Sequence, residues 1–311
     1  MKYTKWLDPE LKIITKNVPY NKTVIKCANI FLPIALFLTA VPRDITHKSI
    51  TLRGYQGLKF RTEIFEPSDE KGKLPCLLYV HGGAFSYKAS VHHKNLACLY
   101  AGKAKCRVFF PDYHLLPKYP YPAAYEDVLT LYKWIAANAD KTKIDPEKIG
   151  AAGDSAGAAL AALITNRCEQ ERVRPPCLQM LVYPVTAITM RTDSMKKFSD
   201  TPLWNAKNNR QMWSYYCGNL KTEDQFALSP LHNNLPQIIP DTYLETAEFD
   251  CLHDEGLLYG RKLQQAGAKV EINETKGTIH GYDSAIHTEI ARRNIEKRIA
   301  FLRTGFDAEH R

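Results

Sequence analysis

From residue 45 onward, short apolar runs alternate with longer helix-compatible stretches, and this rhythm constrains the fold more than any other feature of the chain. Ser49–Arg53 and Leu58–Phe65 read as two strands joined by a turn at Gly54-Tyr55-Gln56-Gly57. Further strand candidates are Cys76–Val80, Cys106–Pro111, Lys148–Ala152, Leu178–Tyr183, Thr242–Thr246 and Lys269–Glu274. Helical stretches lie between them near 92–104, 122–138, 156–169, 254–267 and 286–303. Pro122 suits a first helical turn; Val128, Leu131, Trp134 and Ile135 repeat at helical spacing; Gly267 suits a C-terminal cap. The pattern predicts an α/β protein with about eight strands in a mostly parallel sheet, covered by helices on both faces.

Two segments fall outside the rhythm, and both are candidates for a cap, because such sheets place ligands beyond their strand ends. The expected division is an N-terminal helical cap region at 1–45, a core at 46–185 and 229–311, and a cap insertion at 186–228. The apolar run Ala28–Val41 contains Pro33 and is too short to span a membrane comfortably. It also lies too far into the chain for a signal-peptide core. It is expected as a buried or cap helix, with interfacial membrane attachment as the alternative.

At 45% hydrophobic and 24% charged residues, the 311-residue chain has an ordinary globular composition and a core large enough to need no disulfide or metal staple. None of its eight cysteines forms a C-x-x-C pair, and several sit in apolar runs such as Pro75-Cys76-Leu77-Leu78. They read as buried reduced thiols of a cytoplasmic protein. The net charge is +9, and residues 1–53 hold nine Lys or Arg against Asp8, Glu10 and Asp44. A solvated basic surface is the plain reading, and weak contact with a membrane surface through this region is the sharper one. No nucleic-acid-binding motif accompanies the charge, so no nucleic-acid partner is expected. Edge-strand or cap pairing leaves a homodimer open.

Gly153-Asp154-Ser155-Ala156-Gly157 follows the strand Lys148–Ala152 and precedes an Ala-rich helix. This is the context a G-x-S-x-G nucleophile requires: a strained strand-to-helix turn exposes the hydroxyl, and small neighbours tolerate the crowding. His81-Gly82-Gly83-Ala84-Phe85 follows the strand Cys76–Val80. Its glycines let backbone N–H groups approach a carbonyl oxygen on which charge develops. Gly83, Ala84 and Ala156 are the candidate oxyanion donors, with Gly82 shaping the loop. A serine nucleophile needs a base and an orienting acid. His280 and Asp250 both lie just past predicted strands, and the order Ser155, Asp250, His280 is the one this fold uses. Asp254 and Glu255 read as structural acids at a helix start, His253 as a helix-end residue, and His92 and His93 as exposed positions early in a helix. His232 and His287 lack strand-end positions. No metal-ligand spacing or Walker pattern occurs, so neither a metal nor another cofactor is expected.

With these residues the chain resembles the hormone-sensitive-lipase-like (family IV) carboxylesterases from about residue 70 to 285. The resemblance also includes Asp112-Tyr113-His114-Leu115-Leu116-Pro117, Tyr119-Pro120-Tyr121-Pro122-Ala123-Ala124-Tyr125-Glu126-Asp127, Ile144-Asp145-Pro146, Ser229-Pro230-Leu231, and Asp250 through Gly256. It implies a cap over an acyl and alcohol pocket, with Phe85, Leu203, Trp204, Met212, Trp213 and Tyr216 as wall candidates, along with Phe31 and Phe37. The chain departs from the family at Ala84, where a third glycine is usual, at Cys251 within Asp-Pro-Leu, and at His114, where arginine is usual. An α/β-hydrolase-fold serine carboxylesterase acting on small-molecule esters of short to medium acyl chain is the expectation. An amidase or peptidase, or a non-catalytic binding homologue, is the alternative.

Overall fold

A computed structural model describes residues 5–12 and 17–308. The other parts of the expected N-terminal region, 1–4 and 13–16, lie outside the described residues, as do 309–311. Eight strands form one sheet: β1 (Ile45–Arg53), β2 (Lys59–Pro67), β3 (Leu74–Val80), β4 (Arg107–Asp112), β5 (Ile144–Asp154), β6 (Leu178–Val182), β7 (Asp241–Ala247) and β8 (Val270–Thr275). Their spatial order is β1-β2-β4-β3-β5-β6-β7-β8. Both neighbours of β2 pair with it antiparallel, and every other pairing is parallel. Central β3 and β6 are buried almost throughout and read as apolar runs, broken in β6 by the buried Gln179, as strands covered on both faces should.

Nine described helices accompany the sheet: α1 (Lys22–Leu38), α2 (Val91–Lys103), α3 (Ala123–Ala137), α4 (Ala156–Asn166), α5 (Asp193–Lys197), α6 (Ala206–Cys217), α7 (Thr222–Gln225), α8 (His253–Gln265) and α9 (Glu289–Asp307). Pro122 caps α3, whose Val128, Leu131 and Ile135 are fully buried. Gly267, just past α8, has φ +92°, a conformation glycine adopts without the penalty a Cβ imposes. Several boundaries differ from the periodicity, among them the start of β1, at Ile45 rather than Ser49. α9 starts at 289 because the Thr288 side chain accepts from Ala291 N–H, and a 3₁₀ turn fills 282–284 before it. β5 starts at Ile144, where Ile144 pairs with Leu74; the register then slips, so that Ile149 pairs with Cys76.

The run Ala28–Val41, expected as a buried or cap helix, is helical to Leu38 as part of α1, whose one buried residue is Ile25. Its inward side carries Val24, Ala28, Asn29, Leu32 and Leu36, while Ile30, Phe31, Ile34, Phe37 and Leu38 face outward. No described helix is long and apolar enough to cross a membrane. All eight cysteines are unpaired; Cys27, on α1, is exposed rather than buried, and Cys177 is half-buried.

A buried ionic cluster ties α9 to the sheet. Arg298 Nε donates to Glu245 Oε2 at 3.1 Å, and Nη1 donates to Asp283 Oδ2 at 2.6 Å. Arg298 Nη2 also donates to Glu245 Oε1, which accepts from the Tyr282 hydroxyl as well at 2.8 Å, and the Tyr183 hydroxyl donates to Asp283 Oδ1 at 2.7 Å. Burial works to raise the Asp283 carboxyl, but the charges of Arg298 and His92 and the hydrogen bonds from Arg298 and Tyr183 together hold it below its ordinary range. Arg298→Ala leaves two buried carboxylates without a cation and is expected to cost about 3–5 kcal/mol in urea unfolding. A loss below about 1 kcal/mol would show that the cluster does not behave as a buried ion pair.

Candidate active site

Four strand ends deliver the site. β5 runs into Ser155, which has φ +54° and ψ −117° and starts α4. This strained turn is tolerated because its flanks are small. A Cβ on Gly157 would lie 2.0 Å from the Val80 carbonyl oxygen, and one on Gly153 would lie 2.4 Å from the Gly157 carbonyl carbon. β7 leads to Asp250 and β8 to His280. Asp250 is fully buried; its Oδ1 accepts from Leu252 N–H at 3.0 Å, and its Oδ2 lies 2.6 Å from His280 Nδ1. His280 Nε2 lies 2.9 Å from Ser155 Oγ. A carboxylate only accepts, so Nδ1 carries the proton and Nε2 faces the hydroxyl as an acceptor. The three residues form one hydrogen-bonded chain.

The loop after β3 supplies donors. Gly83, Ala84 and Phe85 have φ of +105°, +56° and +55°. Ala84 thus takes a left-handed conformation despite its Cβ, which costs about 1–2 kcal/mol relative to glycine. Among the described residues no group accepts the N–H of Gly83 or Ala84, and Ala156 stands at the N-terminus of α4, where N–H groups have no intrahelical partner. Gly82 plays a different part: its N–H donates to Asp154 Oδ2 at 3.0 Å.

Asp154, inside the serine motif, is the residue whose role the motif did not reveal. Its other oxygen accepts from the Tyr79 hydroxyl at 3.0 Å, and His93 Nε2 lies 3.1 Å from Oδ2. Ser90 N–H donates to His93 Nδ1 at 3.0 Å, so the His93 proton sits on Nε2 and points at Asp154. Burial works to raise the Asp154 carboxyl, but the neighbouring His93, then His92 and His81, hold it well below the carboxylate range. His92 and His93 are therefore not exposed helix positions. The start of α2 packs against the end of β5, leaving His93 buried and His92 half-buried. Burial, followed by the charge of His93, pushes both His81 and His92 down to about 4. His92, His93 and Asp154 offer atoms within 4.8 Å of one another, yet both nitrogens of His93 are already committed.

A pocket of about 240 Å³ opens above Ser155, lined by Gly83, Ala84, Tyr87, His92, His93, Tyr183, Leu203, Trp204 and His280 among others. Of the predicted wall residues, Leu203 and Trp204 reach it. Phe85 instead stacks on Tyr216 at 3.9 Å between ring centroids, and Met212, Trp213 and Tyr216 are buried in the packing of α6. That helix spends its apolar face on the body of the protein rather than on the pocket. Phe31 and Phe37 point to solvent. The N-terminal segment meets the insertion: Tyr20 lies 5.5 Å from Trp204 and 5.8 Å from Tyr215, and Asn208 donates to Val18 O at 3.2 Å. His114, which replaces the usual arginine, bonds Asp127 Oδ2 through its backbone N–H at 2.8 Å and its Nδ1 at 2.6 Å. His253 contacts Asp254 and Glu274, and His232 contacts Ser229, both away from Ser155.

The profile of the alpha/beta hydrolase fold family matches residues 77–284. The carboxylesterase NlhH of Mycobacterium tuberculosis is 29% identical over 283 residues, spanning 89% of this chain and 88% of its own. The esterase LipI of Mycobacterium tuberculosis is 31% identical over 224 residues, 71% of this chain and 70% of its own. A solved bacterial heroin esterase superposes with a TM-score of 0.89 at 26% identity, covering 99% of this chain and all of its own.

Glu255 gives the site a pH signature. Thr186 and Ala187 donate backbone N–H groups to its Oε1 at 2.7 and 3.1 Å. Burial outweighs these donors and pushes its carboxyl from the ordinary 4.5 up to about 8. The folded chain therefore keeps this proton where the unfolded chain has lost it, and stability falls as pH rises from 4.5 to about 8. His81 and His92 act in the opposite sense, but only from about 4 to their ordinary 6.5. Between pH 6.5 and 8 the wild type is expected to lose stability in urea unfolding, and Glu255→Gln to lose less. Equal slopes for the two proteins would contradict this assignment.

Proposed function

Because the chain belongs to the alpha/beta hydrolase fold family, in its hormone-sensitive-lipase-like branch, we propose that Ser155, His280 and Asp250 carry its two-step hydrolysis of carboxylic esters. The chain is a carboxylic ester hydrolase. The observation that carries the assignment is the unbroken chain from Asp250 through His280 to Ser155 Oγ beside unoccupied N–H donors.

His280 Nε2 takes the Ser155 proton as Oγ attacks the acyl carbon. The carbonyl oxygen becomes an oxyanion held by the N–H groups of Gly83, Ala84 and Ala156. His280 then returns the proton to the departing alcohol, leaving an acyl group on Ser155. Water, deprotonated by His280, attacks this ester, and the acid leaves as Oγ recovers its proton. Asp250 holds the Nδ1–H tautomer and faces the imidazolium formed in each step. Asp154, held by His93 and Tyr79, fixes Gly82 and thereby the aim of the two donors after it.

The N-terminal segment and the 186–228 insertion act as the cap, with Leu203 and Trp204 closing the pocket. Its volume, about 240 Å³, supports short acyl groups in preference to long ones. The unpaired cysteines support a reducing compartment such as the cytoplasm.

Ser155→Ala should fold normally and lose p-nitrophenyl butyrate turnover by about 10⁴-fold or more. Substantial residual turnover would remove Ser155 from the mechanism. Acetyl and butyryl esters should be cleaved faster than decanoyl esters, and esters faster than the matching p-nitroanilides. Comparable anilide rates would favour an amidase.

A further inference from the structure

Helix α1 turns its larger apolar side chains away from the protein. Ile30, Phe31, Ile34, Phe37 and Leu38 are 54%, 68%, 53%, 86% and 75% exposed. Residues 30, 34 and 38 follow an i, i+4 row, with 31 and 37 on either side of it. Lys22 and Lys26, also exposed, continue the same row toward the N-terminus. Surface helices ordinarily bury their apolar stripe and expose their polar one; α1 has apolar side chains on both sides, and its largest ones face outward.

Hydrogen bonds on the inward side hold the helix in that orientation. Asn29 Nδ2 donates to Ser86 O at 2.8 Å, and its Oδ1 accepts from Lys88 N–H at 2.9 Å. The Lys94 ammonium donates to Leu36 O at 3.2 Å and Thr39 O at 2.6 Å, closing the C-terminal end. Just before the helix, the Tyr20 hydroxyl donates to Ala84 O at 3.2 Å. Five large apolar side chains on one fixed, exposed face mark an interaction surface rather than scattered solvent contacts.

We propose that this face of α1 docks on an anionic lipid surface. Charge selects the occupant. No Asp or Glu occurs between Lys22 and Leu38, and the lysines adjoin the apolar row on the same face, matching phosphates above acyl chains. A second copy docked α1 on α1 would meet Lys22 and Lys26 with a face that carries no carboxylate. Docking in this way holds the loop that follows the oxyanion donors about one helix diameter, ~10 Å, from the lipid, where apolar esters collect.

Cys27 is the one exposed cysteine of the eight and lies on the outward side of α1, so an environment-sensitive thiol dye on the full chain reports docking. Sedimentation with vesicles of phosphatidylcholine alone, or mixed with phosphatidylglycerol, measures the unlabelled protein. The expected results are a blue shift and at least tenfold stronger partition with phosphatidylglycerol present, weakening as salt rises. Phe31→Ser/Ile34→Ser/Phe37→Ser should lower that partition at least tenfold, and Lys22→Glu/Lys26→Glu should abolish the preference for phosphatidylglycerol. Both variants should cleave a water-soluble short ester at the wild-type rate, which shows that they are folded. Absent partition, equal partition to both vesicle types, or partition unchanged by the triple substitution overturns the proposal. A stable dimer in light scattering that the triple variant dissociates also overturns it.

Discussion

Helix α4 can lie against β3 only because position 157 has no side chain. The Val80 carbonyl oxygen occupies the place where a Cβ would stand, 2.0 Å away. Gly153 meets the same limit from below, against the backbone of Gly157. With the helix this close, the chain must turn from strand to helix within one residue, and that residue, Ser155, takes a φ of +54°. The strain is confined to a position where the surrounding sheet and helix dictate the backbone, as is usual for strained residues at functional sites. Everything else in the site is arranged around the hydroxyl this turn exposes.

A second constraint is electrostatic. The motif that exposes Ser155 also carries Asp154, a buried carboxylate that must be satisfied within the protein. Gly82, Tyr79 and His93 satisfy it, and in doing so they tie the loop after β3 to the loop after β5. The same bonds that stabilise the charge therefore fix the aim of the N–H groups proposed as oxyanion donors. The buried Arg298 cluster does comparable work one strand end away, because Asp283 follows closely on His280 and holds Tyr183, whose ring lies 4.6 Å from that of His280.

The strand and helix order was legible in the sequence because apolar periodicity reports burial, and burial is what a covered parallel sheet imposes. Ser155, His280 and Asp250 were legible because each stands just past a strand, so one-dimensional spacing already implied one edge of the sheet. His93 was misread as exposed because its burial comes from a helix packing on a strand end 61 residues away, which no local pattern encodes. Of the expected walls of the pocket, Leu203 and Trp204 reach it and the others were misread for a related reason. An aromatic residue on α6 looks the same in sequence whether it faces a cavity or the body of the protein, and Met212, Trp213 and Tyr216 face the body. That the apolar run in α1 is not buried was not legible, because periodicity shows that a helix has apolar side chains but not which of them point outward.

The central claim is that the strained turn makes Ser155 the covalent nucleophile. The most direct measurement is reaction of the intact protein with a fluorophosphonate, followed by mass spectrometry of the adduct and of its peptides. The account predicts one adduct per chain, on the peptide that carries Ser155, formed far more slowly after His280→Ala. An adduct on another residue, or none on a folded and ester-cleaving protein, would contradict it.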